Sequence, residues 1–545
     1  MVPKRPNVLV IMTDEERYPP GYEADALAEF RAERLPARNT LRDRGVEFHR
    51  HYTASAACLP SRSSLFTGQY PSLHGVRNTD GLAKTADDPA MVWLDPDQVP
   101  TMGDWFRAAG YETHYRGKWH ISHAEMVVTG THRAFLTNTG DGDPIPEAIE
   151  AYRRADRLEP FGFSGWIGPE PHGPLPANTG LVRDGLFASQ VTELFDRLAE
   201  RRDDSPPWLA VASFVNPHDI AFSGMGWAAL GFPPIPDWVP AVPEAPSQAD
   251  SLDERPAAQG DFRSTWAKLL YPQPADAQYR RLYHYLLAEV DLAIGRILES
   301  LERNGLAEDT IVVFTSDHGD MLGAHGGLQQ KWHVGYDEAT RVPLVVAGPG
   351  IAPSPGDPSG GFGMPTSHVD LLPTLLGLIG ASPAELAPVV AEHHCEVRDL
   401  PGRDLSPLLR EPGAGGSVEL DSAVYFMTED EISRGLRTVG AISGQEFDPV
   451  SAPAAVESVV AELDGGLWKL NRYYSANGGG KEADPGSVPG ADGPEEWELH
   501  DLVADPDERT NLAGQPGVPV EAMRAELDRV RSERRLSPTQ LQTQG

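Results

Sequence analysis

The sequence predicts an α/β fold in which a large, mostly parallel sheet lies between helices, followed by a smaller C-terminal α+β domain. Short apolar runs alternate with helix-like segments over the first part of the 545 residues, as expected when helices cover both faces of a parallel sheet. Beyond about residue 388, short strand-like segments separated by Gly, Asp and Pro replace this alternation. We therefore expect a main domain over residues 1–385, and a C-terminal domain with a short antiparallel sheet and a tail over residues 386–545.

Each predicted element rests on a local pattern. In the main domain, strand-like runs lie at residues 8–12, 113–116, 208–215 and 310–315, with a further apolar run at 343–347. Helices are predicted at 101–109 and 275–304, which Gly110 and Gly305 close, and at 369–379. The C-terminal domain is predicted to contain strands at 423–427, 467–474 and 496–499 and a helix at 520–531. Residues 161–176 and 222–258, rich in Pro, Gly and Trp, are predicted to be long loops.

Composition excludes several classes of function. The chain has 46 Lys and Arg against 80 Asp and Glu, a net charge of −34, which repels nucleic acids and anionic membrane surfaces. No segment offers 18 uninterrupted apolar residues, so we expect no membrane partner. The two cysteines, Cys58 and Cys395, suit a reducing compartment, and the apolar run near the N terminus is too short for a signal peptide. We expect a cytoplasmic location.

The segment Cys58-Leu59-Pro60-Ser61-Arg62 is the most informative motif. A cysteine at the start of a short helical run meets the free backbone N–H groups and the positive end of the helix dipole, a place that attracts anions. Arg62, four residues later, lies on the same helical face and would hold negative charge there. The alternative interpretation is a buried structural cysteine beside a turn.

Two pairs of residues form a candidate cation site. Asp14 and Glu15 follow the first predicted strand, and Asp317 and His318 follow a strand about three hundred residues later. Because ligands of open α/β sheets bind at the carboxyl ends of strands, we expect these pairs to converge. Carboxylate oxygens suit Ca²⁺, Mg²⁺ or Mn²⁺, whereas an imidazole also suits Mn²⁺ or Zn²⁺. Alone, each pair is more typical of a helix N terminus or a loop.

Four basic side chains complete the candidate site. Lys118 and His120 lie in Gly117-Lys118-Trp119-His120, His218 follows Asn216-Pro217, and Lys331 lies in Gln330-Lys331-Trp332-His333. Imidazole is the side chain best matched to proton transfer near neutral pH, and Lys can bind an anion. Taken singly, a lysine is usually a solvated surface charge and a histidine is usually structural.

Together these segments resemble the sulfatase family. The resemblance runs from about residue 6 to about residue 512, and includes the Cys-x-Pro-Ser-Arg motif, the Gly-Lys-Trp-His segment, Ser316-Asp317-His318-Gly319-Asp320 and a closing segment at 498–512. It implies an alkaline-phosphatase-like fold with a sulfatase catalytic domain. It also implies that a formylglycine-generating enzyme oxidises Cys58 to formylglycine, an aldehyde that hydrates to a diol.

The resemblance implies hydrolysis of a small-molecule sulfate monoester to an alcohol or phenol and inorganic sulfate. The implied catalytic residues are Cys58, Arg62, Lys118, His120, His218 and Lys331. Substrate contacts are implied for Asn78, Lys118, His218 and Lys331. One divalent ion is implied, with Ca²⁺ preferred and Mn²⁺, Mg²⁺ or Zn²⁺ as alternatives, held by Asp14, Glu15, Cys58, Asp317 and His318.

The proposed reaction begins with attack on sulfur by the diol oxygen at residue 58. His120 is then the base that releases sulfate, and either His218 or Lys331 protonates the leaving alkoxide. Glu15 departs from the family pattern, which more often has Asp, Gln or Asn there, so its direct contact with the ion is less secure than that of Asp14.

Two alternatives remain open at the level of the sequence. A phosphonate monoester or phosphodiester hydrolase of the same superfamily shares the formylglycine and the Asp-His pair, but as a class lacks the Lys-Trp-His segment, so Lys118 and His120 favour sulfate. The second alternative is an inactive homologue in which Cys58 is never converted. The sequence indicates neither the oligomeric state nor the organic part of the substrate.

Overall fold

The computed structural model describes residues 5–81, 83–131, 133–171, 173, 175–201, 205–225, 233–269, 274–351, 361–410, 421–435, 444–476 and 494–539. The strands in these ranges are β1 (Asn7–Asp14), β2 (Gly45–Glu47), β3 (His51–Tyr52), β4 (Glu112–Gly117), β5 (Trp208–Pro217), β6 (Thr310–Ser316), β7 (Arg341–Val342), β8 (Leu344–Ala347), β9 (Thr366–Ser367), β10 (Val424–Thr428), β11 (Ala455–Leu463), β12 (Gly466–Tyr474) and β13 (Glu496–Asp501).

The α-helices in the same ranges vary from one turn to 27 residues. They are α1 (Ala28–Arg34), α2 (Pro36–Arg44), α3 (Cys58–Thr67), α4 (Pro71–His74), α5 (Met102–Ala108), α6 (Pro146–Ala155), α7 (Gly180–Ala199), α8 (Ala257–Leu269), α9 (Ala277–Arg303), α10 (Ala324–Gly327), α11 (Asp337–Thr340), α12 (Leu371–Leu378), α13 (Pro383–Val390), α14 (Ser406–Arg410) and α15 (Val520–Arg534).

The main sheet has six strands in the order β2-β8-β6-β1-β5-β4. The four strands from β6 to β4 are parallel, whereas β8 runs antiparallel to both β6 and β2. Every residue of β1, β5 and β6 is buried, which explains why these strands appear in the sequence as continuous apolar runs. The predicted mostly parallel sheet is confirmed.

Helices cover both faces of this sheet. On one face, Leu9 and Ile11 of β1 belong to a core that includes residues of α2, α7 and α9. On the other face, Val8 and Val10 belong to a core that includes residues of α3, α5 and α12. Because alternate residues of a strand point to opposite faces, β1 lies in the middle layer of three. Its carboxyl end, at Asp14, opens at the edge where β5 and β6 also end.

The C-terminal region forms a separate antiparallel sheet in the order β10-β11-β12-β13. The terminal helix α15 packs on it through Met523 and Leu527, in a cluster that also contains Tyr70 and Val369 of the preceding region. This confirms the smaller α+β unit with a short antiparallel sheet. The predicted division at residues 385 and 386 falls inside α13 and stays a prediction.

Some elements were not predicted. Helix α7 begins with Gly180 and contains Gly185, and glycine disfavours a helix. Strand β11 consists largely of Ala, Glu, Val and Leu, a mixture that does not distinguish a strand from a helix. Within the predicted loop 222–258, residues 222–225 end a 3₁₀ segment that begins at residue 218, and residues 257 and 258 begin α8. Residues 233–256 contain neither helix nor strand, and residues 226–232 lie outside the described ranges.

No single described helix is long and apolar enough to cross a bilayer. The segments His368–Leu378 and Pro383–Val390, which meet at 99°, satisfy that criterion only as a bent pair. Most of the first segment is buried in the protein core.

Candidate functional site

Cys58 lies at the first turn of α3, where it faces the carboxyl ends of β1 and β6. Its Sγ is 3.6 Å from Asp14 Oδ1 and 3.3 Å from His318 Nε2. Ligand atoms of Asp14, Cys58, Asp317 and His318 all lie within 4.8 Å of one another. Asp14, Asp317 and His318 of the two predicted pairs lie together beside Cys58, because both strands end at the same edge of the sheet, whereas Glu15 groups with Asp14 and His218.

The microenvironment of Cys58 disfavours a thiolate. The side chain is 2% exposed, and burial together with the charge of Asp14 raises the pKa of its thiol to about 12. Reactive cysteines, including those at helix N termini, normally have a thiol pKa below the ordinary value. The unmodified thiol is therefore a poor nucleophile at neutral pH.

Arg62 holds the two carboxylates in place. Its Nη2 donates to Asp14 Oδ2 and its Nε donates to Asp317 Oδ2, both at 2.8 Å. Its Nη1 donates to the carbonyl oxygen of Lys118 and to Ser213 Oγ, both at 2.9 Å. The negative charge that Arg62 holds is therefore that of Asp14 and Asp317, two of the candidate metal ligands.

The electrostatics of Asp14 and Asp317 differ. Burial opposes ionisation of Asp14, but the charges of Lys118 and Arg62 hold its pKa well below the ordinary value. Lys118 Nζ lies 2.6 Å from Asp14 Oδ2. Burial and the charge of Asp14 raise the pKa of Asp317 to about 7, despite Arg62. Two buried carboxylates this close favour a further positive charge between them.

These donors fit a divalent cation. Asp14 and Asp317 direct their Oδ1 atoms toward the Nε2 of His318, at 3.9 and 3.7 Å. His318 Nδ1 lies 3.0 Å from the carbonyl oxygen of Gly319, so its proton is held there and the Nε2 lone pair is available to an ion. The neighbouring Glu15 has a buried Oε1 with no hydrogen-bond partner. Oxygen and imidazole donors of this kind suit the predicted cations.

A second group of residues lies beside Glu15. Lys331 Nζ donates to Glu15 Oε2 at 3.2 Å and to Gln330 Oε1 at 3.1 Å. His218 Nε2 lies 3.9 Å from the same Glu15 oxygen. Burial raises the pKa of Glu15 well above its ordinary value, although Lys331 opposes the shift. His218 and Lys331, predicted to act on the leaving group, therefore lie on one side of the carboxylate cluster.

His120 is held by two carboxylates that the sequence analysis did not identify. Glu170 accepts hydrogen bonds from the backbone N–H groups of Trp119, at 3.1 Å, and His120, at 2.8 Å. Asp80 Oδ1 lies 2.7 Å from His120 Nε2. His120 has a φ of 48°, in the region that favours glycine. The two hydrogen bonds that Glu170 accepts stabilise this strained turn directly after Lys118.

Asn78 lies apart from this cluster. Its Nδ2 donates to the carbonyl oxygen of Ala90 at 3.1 Å, and the side chain is partly exposed. Among the described contacts it reaches neither Cys58 nor the carboxylates. Its implied contact with the substrate stays a prediction.

Comparison with known proteins identifies the family. The family model described as Sulfatase matches residues 6–381. The chain belongs to the sulfatase family, a family of sulfuric ester hydrolases.

Two bacterial sulfatases are similar in sequence to this chain over most of its length. A choline-sulfatase of Rhizobium meliloti (strain 1021) is 28% identical over 401 residues, which cover 71% of this chain and 70% of that protein. A Delta 4,5-hexuronate-2-O-sulfatase of Bacteroides thetaiotaomicron is 26% identical over 529 residues, which cover 94% of this chain and 85% of that protein.

Solved structures support the alkaline-phosphatase-like fold. A putative sulfatase from Bacteroides thetaiotaomicron VPI-5482 superposes with a TM-score of 0.63 at 22% identity, covering 97% of this chain and 92% of that one. A phosphonate monoester hydrolase of Agrobacterium radiobacter superposes with a TM-score of 0.59 at 22% identity, covering 98% and 96%. At such identities the likeness establishes the fold alone.

The C-terminal part of the sulfatase reaches the surroundings of the site. Asp430, which follows β10, accepts a hydrogen bond from Trp332 Nε1 at 2.7 Å and one from the backbone N–H of Thr79 at 3.1 Å. Trp332 directly follows Lys331 in the sequence, and Thr79 directly precedes Asp80. Asp430 thus ties the His120 side and the Lys331 side of the site to the antiparallel sheet, a contact that no local sequence pattern could indicate.

Proposed function

We propose that this protein hydrolyses a sulfate monoester through a formylglycine formed from Cys58, with one divalent cation bound beside it. The observation that carries the proposal is the position of Cys58 Sγ, 3.3 Å from His318 Nε2 and 3.6 Å from Asp14 Oδ1. Its raised pKa of about 12 supports a modified residue rather than a thiolate as nucleophile.

Asp14, Asp317, His318 and the oxygen of the converted residue 58 would hold the cation, with Glu15 beside them. The ion supplies positive charge that polarises a sulfate oxygen and favours ionisation of the diol. Arg62 keeps the two aspartates in position through its 2.8 Å bonds. Arg62 therefore acts as a positioning residue in this proposal.

The chemistry proceeds in two steps, a displacement at sulfur and an elimination at residue 58. One oxygen of the diol, which has lost its proton to solvent, attacks sulfur, the bond from sulfur to the ester oxygen breaks, and the leaving alkoxide takes a proton from His218 or Lys331. The second hydroxyl then gives its proton to His120, its oxygen forms a carbonyl, and the bond to sulfate breaks. Water adds to the aldehyde and restores the diol. A serine in place of the diol would be left as a stable sulfate ester.

Conversion of Cys58 is tested by the mass of the proteolytic peptide that carries it. Replacement of the CH₂–SH group by CHO lowers this mass by about 18 Da, with the hydrate as a companion species. We expect hydrolysis of 4-nitrophenyl sulfate by converted protein and none by a Cys58→Ala variant. Cys395→Ala is the matched control, because Cys395 is exposed and lies outside the site. An unmodified Cys58 peptide from protein that hydrolyses sulfate esters would refute the formylglycine mechanism.

The organic part of the substrate stays open, because the named relatives act on chemically different sulfates. A panel of aryl, alkyl and sugar sulfates together with phenyl phosphonate would rank the activities. Lys118 and His120 favour sulfate, and higher kcat/KM on the phosphonate ester would support the phosphonate monoester hydrolase alternative, whose structural relative shares the fold.

A further inference from the structure

A cavity of about 340 Å³ lies beside the edge strand β4, between helices α6 and α7. Its lining includes three arginines, one from each of these elements, namely Arg116, Arg153 and Arg197. Gln190 and Glu193 of α7 and Gly165 complete most of the wall. We call this cavity the arginine pocket. None of its lining residues belongs to the site that contains Cys58.

Arg116 is a buried cation, and no described carboxylate lies within ion-pair distance of it, although Asp156 and Glu193 attract it from further away. Its Nη1 donates to two carbonyl oxygens, those of Tyr115 at 2.7 Å and Ser164 at 3.1 Å. No carboxylate of the described residues forms an ion pair with it. The guanidinium packs directly against Gly165, where the Cβ atom of any other residue would come within 2.6 Å of Nη1. A buried charge normally has a counter-charge, because desolvation is costly.

The other charges of the arginine pocket increase this imbalance. Arg153 lies 3.6 Å from Glu193, which is its carboxylate partner. Arg197 is exposed and forms no ion pair with a described residue. The lining therefore carries three positive charges and the carboxylate of Glu193, and Asp156 lies next to it, where its Oδ1 accepts the N–H of Gly165 at 2.8 Å. Burial and the repulsion from Arg197 and Arg153 lower the pKa of Arg116 to about 10, although Asp156 and Glu193 oppose the shift.

We propose that the arginine pocket binds a multivalent tetrahedral oxyanion, sulfate or phosphate, either as the free ion or as the charged group of an ester. Planar guanidinium groups donate paired hydrogen bonds to such anions and match their geometry. A bound anion would supply the counter-charge that Glu193 and Asp156 only partly provide to the three arginines. At about 30 Å³ for each water displaced, the cavity exceeds one tetrahedral ion and leaves space for a small organic group.

The proposed binding is separate from catalysis. Arg116 lies two residues before Lys118 on the chain, but its guanidinium contacts the 164–165 loop, whereas Lys118 Nζ contacts Asp14. Helices α6 and α7 contribute no residue to the cluster around Cys58. Loss of hydrolytic activity would therefore leave oxyanion binding in the arginine pocket intact, and the reverse also holds.

The test compares two variants by calorimetric titration with inorganic sulfate and inorganic phosphate at constant ionic strength. The double variant Arg153→Gln/Arg197→Gln removes the two charges near the surface. Arg154→Gln, which alters an exposed neighbour on α6 that does not line the cavity, is the matched control. Neither variant changes the catalytic site, so any anion bound there contributes equally to both.

We expect saturable binding in the control and a dissociation constant raised about tenfold or more in the double variant, since each lost charge-assisted hydrogen bond weakens binding strongly. The rise in unfolding temperature on adding phosphate should shrink in parallel. Equal dissociation constants in the two variants would overturn the proposal. Methyl phosphate distinguishes the source of the anion: binding at least as tight as phosphate indicates an ester, and weaker binding indicates the free ion.

Discussion

Replacing Arg62 by leucine should destabilise the metal-free protein strongly and increasingly as pH rises. The side chain is fully buried and bonds both Asp14 and Asp317 at 2.8 Å. Removing one partner of a buried ion pair typically costs about 3–5 kcal/mol. Asp14 keeps Lys118 at 2.6 Å, so most of the cost falls on Asp317, whose pKa is about 7 with Arg62 present.

The pH dependence follows from the protonation of Asp317. Without Arg62 its folded-state pKa rises further above the unfolded value of about 3.9. A raised carboxyl pKa means that the folded state binds the extra proton, so stability is lost as pH rises. Above pH 7, where the wild-type group is increasingly ionised beside Arg62, the difference between variant and wild type should grow, by at most about 1.4 kcal/mol per pH unit.

The assay is urea unfolding in EDTA at pH 7 and pH 8.5, followed by the fluorescence of the 11 tryptophans. Arg154→Leu serves as the control, because its side chain is 73% exposed and its partner Glu150 lies at 3.9 Å; it should change stability little at either pH. The reasoning is refuted if Arg62→Leu loses no more than this control, or if its loss shrinks at pH 8.5.

Three further changes, to the protonation of His74, to Asp80 and to the bound metal, have expected outcomes that can be measured. His74, whose Nδ1 accepts the Val76 N–H at 3.2 Å, has a pKa lowered by burial to about 3, so protonation of the unfolded state should cost about 1.6 kcal/mol of stability between pH 6.5 and pH 5. Urea unfolding of His74→Gln should show a shallower loss over the same interval. Asp80→Asn should lower kcat on 4-nitrophenyl sulfate about 10- to 100-fold with little change in KM, because its 2.7 Å bond orients His120; an unchanged kcat would contradict this role. EDTA should lower the unfolding temperature and the activity, and Ca²⁺ should restore both, whereas Asp14→Asn should show little response to either addition.

The sequence was sufficient for the fold class and for the convergence of the carboxylate pairs. Polar residues directly after buried runs indicate the carboxyl ends of parallel strands, and Asp14 and Asp317 meet there. The sequence does not predict the partner of a side chain that has several chemically suitable ones. The guanidinium of Arg62 would bind a carboxylate as readily as a sulfate, and only the fold shows that it binds Asp14 and Asp317.

Contacts between distant segments were equally beyond local patterns. Asp80 and Glu170 lie 40 and 50 residues from His120 in the chain, and neither stands in a motif that marks it as a partner. The same holds for Asp430, which comes from the C-terminal sheet. Spacing within one element predicts which residues share a face, but it carries no information about which loops meet.

The burial of residue 58 would set a time limit on its proposed conversion. In the finished fold its side chain is almost inaccessible, at the start of α3 and against the ends of β1 and β6. Another enzyme cannot reach a side chain buried in this way, so the proposed conversion would precede the docking of α3. During synthesis the strands after residue 423 and helix α15 emerge last, and slow expression would widen the interval in which nascent chains can be modified. Overproduction faster than the supply of the maturing enzyme should therefore yield well-folded but permanently inert molecules.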